Sequence, residues 1–534
     1  MSKPNILLIL NDDMGYSDIG CYGGEVDTPN LDRLAANGLR FTQFYNTARC
    51  CPTRASLLTG LNPHQAGVGH MVTRDDGDDG YRGTLSRNTI TIAELLGSSG
   101  YKTYMSGKWH VCVNLDPQGD ISSWPNQRGF EEYYGIISGA ANFWNPPTLN
   151  RQNERISALD EGDDYFFTDA ISDHAADLIR KHKAGNTDQP FFSYVAYTAP
   201  HWPLHAKESD IEKYKGRFDK GWDKLREERL RRMVDLGIID PSWKLTERDP
   251  TQPAWEDTQD KEWQLRRMEV YAAQIDCMDQ GIGRILQALE ETDQLDNTLI
   301  IFLADNGGCA EELFDTSYPY EKDPTPIKAD RPGATALTRD GKPVMEGNSP
   351  KIMPGGEDTY QSYGVAWANL SNTPFREYKH WVHEGGISTP FIVHWPAGFE
   401  AKGELRSQPG QLMDVMATCA DVAQAEWPEQ RDGYSIPACE GFSLRPIFHD
   451  LENERPHLIW EHEGNCALRE SKWKLVKKHS IGDWELYDMD ADRTETNNLA
   501  DANPDRVSTM AKQWRQWANR VGVLPWDEIL KRRE

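Results

Sequence analysis

Arg49-Cys50-Cys51-Pro52-Thr53-Arg54 places two thiols just before a proline that suits the first turn of a helix. A helix N-terminus offers free N–H groups and a partial positive charge, so Cys50 would stand in a field that favours anions. Arg54 adds a fixed fork suited to oxyanions. The same residues could equally be a buried cysteine pair beside an arginine, and type and spacing alone leave both open. Asp12-Asp13 and Asp305-Asn306 offer only oxygen ligands, which suit calcium or magnesium rather than zinc. A lone Asp-Asp is more often a turn or a helix cap, but here each pair directly follows an apolar run. Lys108 and His110 lie two apart after Tyr101–Met105; if the strand continues, both face one side and Trp109 the other. His201 stands in Thr198-Ala199-Pro200-His201-Trp202-Pro203, and imidazole can hold or release a proton near neutral pH. His205 competes with it; the Ala-Pro-His context favours His201.

Three apolar runs must position these groups: Ile6–Leu10, Phe191–Tyr197 and Thr298–Ala304. They read as strands buried on both faces and separated by helices, which predicts an α/β fold with a largely parallel sheet. Each run ends in polar residues, and in open α/β sheets the site lies beyond the carboxyl ends of the strands. Thr28, Pro29, the stripe Leu31, Leu34 and Ala35, and Gly38 mark the first helix. A second is expected from Pro52 to near Gly60. Leu225–Met233 reads as a surface helix, and Met268–Leu289 as one amphipathic helix. Residues 317–364 are rich in Pro, Gly and Asp without periodicity, and are expected to form a rim over the site. Lys472–Lys478 and Trp484–Asp488 alternate like a hairpin, and Pro504–Val521 looks helical. The expected organisation is a catalytic domain over 1–440 and a small α+β unit over 441–534.

The chain has 534 residues and a net charge of −26, which argues against a nucleic-acid or anionic-membrane binder. Its 18 tryptophans argue against a disordered polymer. No segment reaches the roughly 18 apolar residues of a membrane span, and the N-terminus lacks the longer apolar stretch of a signal peptide, so a cytoplasmic location is expected. The nine cysteines form no disulfide framework and no CxxC pair.

Cys-x-Pro-x-Arg followed by Ala55-Ser56-Leu57-Leu58-Thr59-Gly60 resembles the signature of the formylglycine-dependent (type I) sulfatases, most closely bacterial arylsulfatases. Asp12-Asp13, Gly107-Lys108-Trp109-His110 and Asp305-Asn306-Gly307 are similar to that family's other landmarks, in the same order. The likeness covers most of the chain, including Trp484-Glu485-Leu486-Tyr487-Asp488 and Asn498-Leu499-Ala500. Val111-Cys112 departs from the Leu-Gly of many relatives, which concerns the following turn. The resemblance implies an alkaline-phosphatase-like sandwich, with a large mixed, mostly parallel sheet between helices and a small C-terminal antiparallel sheet. It implies hydrolysis of sulfate monoesters, aryl sulfates above all, through a sulfated formylglycine hydrate at Cys50. A formylglycine-generating enzyme would be the maturation partner. One calcium, with magnesium as the alternative, would be held by Asp12, Asp13, Asp305, Asn306 and the modified Cys50.

The resemblance also gives roles. Lys108 binds sulfate. His110 positions the second hydroxyl or takes its proton. His201 protonates the leaving oxygen or binds sulfate, and Asp305 accepts the nucleophile's proton. Lys379, ahead of Glu384-Gly385-Gly386, matches the family's sulfate-binding lysine, with Arg376 a weaker competitor and His383 and Glu384 structural. The catalytic set is then Cys50, Arg54, Lys108, His110, His201, Asp305 and Lys379. A divalent cation with Arg54, Lys108 and Lys379, set against Asp12, Asp13 and Asp305, gives a balance of +2, which suits a singly charged ester. A phosphonate monoester or phosphodiester carries the same charge, so a hydrolase for those esters is one alternative. A non-catalytic calcium-binding protein is the other.

Overall fold

The computed structural model describes residues 3–185, 188–315, 317–453, 455–479 and 482–533. The strand Asn5–Asn11 runs through the middle of an eleven-stranded sheet, parallel to Phe191–Ala196 on one side and to Thr298–Ala304 on the other. Lys102–Gly107 and Glu132–Ile136 continue the parallel set. Ser388–His394 runs antiparallel to Thr298–Ala304 and joins it to Leu39–Tyr45. The sheet is therefore mixed and mostly parallel, and the three apolar runs are its core strands. Their alternation fills two cores at once. Ile6, Leu8 and Leu10 enter one, while Leu7 and Ile9 enter the other, as the two-residue period of a strand requires.

Helices cover both faces. Pro29–Ala36, Phe167–Ala184 and Lys261–Glu291 lie over the Leu7 side, and Cys50–Thr59, Ile92–Ser98 and Met413–Ala423 over the Ile6 side. Thr28 does not cap the first helix with its side chain. Its Oγ1 accepts from Gly20 N, and the carboxylate of Asp279 on the long helix takes the Asn30 and Leu31 N–H groups instead, at 3.0 and 2.9 Å. The second helix begins at Cys50 rather than Pro52 and closes on Gly60 in a left-handed turn, φ 67°. Leu225–Met233 lies within the helix Gly221–Asp235, and the long helix starts at Lys261, before the expected Met268.

Residues 317–364 are not without structure. Thr325–Pro326, Met345–Glu346 and Thr359–Tyr360 pair into a small sheet. Its core of Leu313, Ile327, Val344 and Tyr360 packs against Trp202, beside His201. Leu458–His462, Asn465–Glu470, Trp473–Lys477 and Glu485–Asp488 form the C-terminal antiparallel sheet. The expected hairpin is its last pair; residues 480–481 of the connection lie outside the described residues. The helix Pro504–Val521 packs on this sheet. The sheet shares a core with Tyr45, Ala48, Val382 and Ile387, so it is fixed to the edge of the large sheet. At that seam Glu384 is buried between Lys474 Nζ and Arg493 Nε, each at 2.8 Å. Among the described residues no helix is long and apolar enough to cross a membrane.

Candidate active site

Strand register brings the polar pairs together. Leu10 sits opposite both Ala196 and Leu303, Asn11 opposite Ala304, and Gly107 opposite Ala196. The residues after these strands therefore leave the sheet at one edge. Asp12, Asp13, Lys108, Asp305 and Asn306 are all buried there. Cys50 opens its helix against the same edge, 1% exposed. Arg54, one turn on, shares its helix face. Arg54 donates to Asp305 Oδ2 at 2.9 Å and to the Lys108 carbonyl at 3.1 Å, and lies 3.5 Å from Asp12 Oδ2.

Lys108 Nζ donates to Asp12 Oδ2 at 2.5 Å, and Lys379 Nζ reaches Asp13 Oδ1 at 2.8 Å and Oδ2 at 3.0 Å. Asn306 Nδ2 donates to Asp13 Oδ1 at 2.7 Å, and the Asp13 N–H to Asp305 Oδ1 at 3.2 Å. Two buried oxygens in this ring, Asp12 Oδ1 and Asn306 Oδ1, have no hydrogen-bond partner. Unpartnered buried oxygens are costly. A hard divalent cation is the group this donor set fits: carboxylate and amide oxygens, converging, with lone pairs left over. Burial and then Asp305 push the Asp12 carboxyl well above its ordinary range, and burial raises Asp305 against the pull of Arg54. Burial would raise Asp13 too, but His201 and Lys379 outweigh it and hold it low. The loops that carry the ring touch closely. A Cβ on Gly307 would stand 1.8 Å from the Gly385 carbonyl oxygen, so only glycine lets the Asp305 and Lys379 loops meet.

The Cys51 hydrogen bond, then Lys108, His110 and Lys379 against the effect of burial, hold the Cys50 thiol well below its ordinary range. His110 arrives by a different route from the one expected. The strand stops at Gly107, and His110 reaches the cysteines through a left-handed turn, φ 56°, rather than by strand alternation from Lys108. Its ring nitrogens lie 3.5 and 3.3 Å from Cys51 Sγ, and burial followed by Lys108 lowers its pKa to about 4. Trp109 points into the core and donates to the Ser123 carbonyl. His201 donates from Nδ1 to the Trp202 carbonyl at 2.5 Å and turns Nε2 to Lys379 Nζ and Asp13 Oδ2, each at 3.4 Å. Burial drives its pKa to about 3, so the ring is neutral with its lone pair on Nε2.

The competitors are engaged elsewhere. His205 spans the Phe143 N–H and the Thr359 carbonyl, Arg376 pairs with Glu485 at 2.8 Å, and Glu384 belongs to the seam. His383 is buried with its Nε2 3.5 Å from Glu485. Two residues at the site have no place in the sequence-based set. Arg49 pairs with Glu311 at 2.7 Å, and Glu311 also accepts from Trp202 Nε1 at 2.9 Å and lies 3.7 Å from Lys379. The available signals are adjacency to Cys50 for Arg49 and, for Glu311, a place on the loop that follows Asp305. Together they form a neutral pair that ties the helix start to Lys379 and His201.

The Sulfatase family model matches residues 4–425, and that of the N-sulphoglucosamine sulphohydrolase C-terminal region matches 376–519. An uncharacterized sulfatase of Schizosaccharomyces pombe is 32% identical, over 98% of this chain and 94% of its own. An arylsulfatase of Klebsiella aerogenes is also 32% identical, over 79% of this chain and 87% of its own. The crystal structure of Ps i-CgsB in complex with k-i-k-neocarrahexaose is similar with a TM-score of 0.66 at 25% identity, covering 97% of this chain and 93% of that one.

Proposed function

The chain belongs to the sulfatase family and is a sulfuric ester hydrolase, and from that premise we propose that it cleaves aryl sulfates with Cys50, oxidised to formylglycine, as the nucleophile. The observation that carries this is Cys50 at a buried helix start, inside a ring of Arg54, Lys108 and Lys379 and convergent oxygens. The oxidised side chain supplies a hydrated aldehyde: one hydroxyl takes the sulfuryl group and the other, once deprotonated, expels sulfate.

The chain's own groups do the rest. In this reading Asp305, held by Arg54, takes the proton of the attacking hydroxyl, and neutral His110 orients the second hydroxyl or accepts its proton. Lys108 and Lys379 bind the sulfate oxygens, and preorganised charge in a buried site is worth more than in water. His201 presents Nε2 beside Lys379; a proton taken up there as the anionic ester binds lets it hold a sulfate oxygen or pass that proton to the leaving oxygen. Asp12, Asp13, Asp305 and Asn306, with the modified side chain at 50, would hold one calcium ion, which supplies positive charge to the reacting oxygens. Trp202, whose ring centroid lies 4.3 Å from that of His201, offers an apolar wall for an aryl group.

A panel of matched aryl sulfates, phosphate monoesters, phosphodiesters and phosphonates tests this. Preference for the sulfate by kcat/KM is the expected result. A preference for the phosphonate or diester would overturn the substrate assignment and leave the fold untouched.

A further inference from the structure

We propose that His380, His462 and Glu463 form a second metal site, for a transition cation of the zinc class, independent of the oxygen ring at Cys50. One ligand atom from each lies within 4.8 Å of the others. His380 Nδ1 is 3.3 Å from one Glu463 carboxylate oxygen, and His462 Nε2 is 3.9 Å from the other. Four ligands around zinc at about 2.0 Å stand roughly 3.3 Å apart along a tetrahedron's edge. The first separation already has that length, and the remaining ligand atoms, within 4.8 Å of one another, would close in by up to about 1.5 Å to reach it.

A second observation is the state of His462. The side chain is fully buried, yet neither ring nitrogen has a hydrogen-bond partner. A buried imidazole without partners is costly, and a cation at Nε2 would satisfy it. Two imidazoles and a carboxylate are a borderline donor set, unlike the all-oxygen ring around Asp12. His380 is about a third exposed, which leaves room for water as a fourth ligand. Ligation through Nδ1 moves the ring proton of His380 to Nε2, at the cost of the long 3.4 Å contact with the Asn465 amide.

The placement gives the site a consequence. His380 follows Lys379 and is anchored by its N–H to the Ala48 carbonyl at 2.7 Å. His462 ends the first strand of the C-terminal sheet, and Glu463 lies in the turn that leads to the second. A cation there would tie that sheet to the loop bearing Lys379.

The test uses the full chain, stripped with chelator, reloaded with excess calcium to fill the oxygen ring, then titrated with zinc or cobalt(II). Metal content per chain, the visible spectrum of cobalt and Tm are read. One added equivalent, intense tetrahedral cobalt bands and a rise in Tm are expected. Glu463→Gln and His462→Gln should each weaken that binding about tenfold or more. Glu463 is partly exposed, so its variant keeps the test decisive if His462→Gln fails to fold. No zinc uptake overturns the proposal. So does uptake that persists in Glu463→Gln and disappears in Cys51→Ala, since Cys50, Cys51 and His110 are another cluster of ligand type.

Discussion

Replacing Lys379 by Met removes one charge while keeping most of the side-chain volume. Lys379 is 5% exposed, and its ammonium lies 2.8 Å from Asp13 and 3.4 Å from His201. A charge about 4 Å from a sulfate oxygen, at an effective dielectric near 20, interacts by roughly 4 kcal/mol. Loss of one preorganised donor in comparable sites costs about 3–4 kcal/mol, or about 10²–10³ in kcat. The two figures agree, so a drop in kcat of that size is expected for Lys379→Met. The assay is steady-state hydrolysis of an aryl sulfate, with rates divided by the fraction of chains carrying formylglycine. Arg376→Met is the control, because Arg376 pairs with Glu485 away from the ring; its kcat should change only a few-fold. A Lys379→Met enzyme with kcat/KM within about threefold of wild type would refute the assignment, since buried charge of this kind cannot be that cheap to lose.

Gly307→Ala drives a Cβ to within 1.8 Å of the Gly385 carbonyl, so it should lower both Tm and kcat; wild-type values for both would show that the two loops part freely. Glu384 governs acid stability. Burial alone would raise its pKa, but Lys474 and Arg493 hold it at about 2 against an ordinary 4.5. A depressed carboxylate stabilises the fold fully above its unfolded pKa and loses that contribution as pH falls toward its folded pKa. The loss, roughly 3 kcal/mol, should fall between about pH 4.5 and 2. Glu384→Gln should lower Tm at neutral pH and flatten that acid limb, and an unchanged acid slope would contradict the seam's role. Chelation should abolish turnover and lower Tm, with calcium restoring both; a stripped enzyme of full activity would remove the cation from the account.

The core of the sheet was legible because its strands are buried on both faces and read as unbroken apolar runs. Thr298–Ala304 has the same ends in the sequence and in the structure. The helix Pro504–Val521 was equally clear, having Pro at its start and Gly after its end. Tertiary contacts hid the rest. Asp279, far along the chain, supplies the cap that Thr28 was expected to give. The short strands of 317–364 have two residues each, too few for any period to show. In the site, residue types and strand ends pointed to Asp12, Asp13, Asp305 and His201, and geometry joins them to Cys50. Lys379 had no signal of its own in a polar stretch; only the family likeness singled it out. Arg49 and Glu311 were missed because an ion pair that spans such a separation leaves no local pattern.

Peptide mass spectrometry of the segment holding Cys50, from protein made in its native host, tests the central claim most directly. Oxidation of the thiol to an aldehyde should lower the peptide mass by about 18 Da. Finding that shift at Cys50, and not at Cys51, is the expected result. A peptide carrying only two unmodified thiols would contradict formylglycine catalysis at this site.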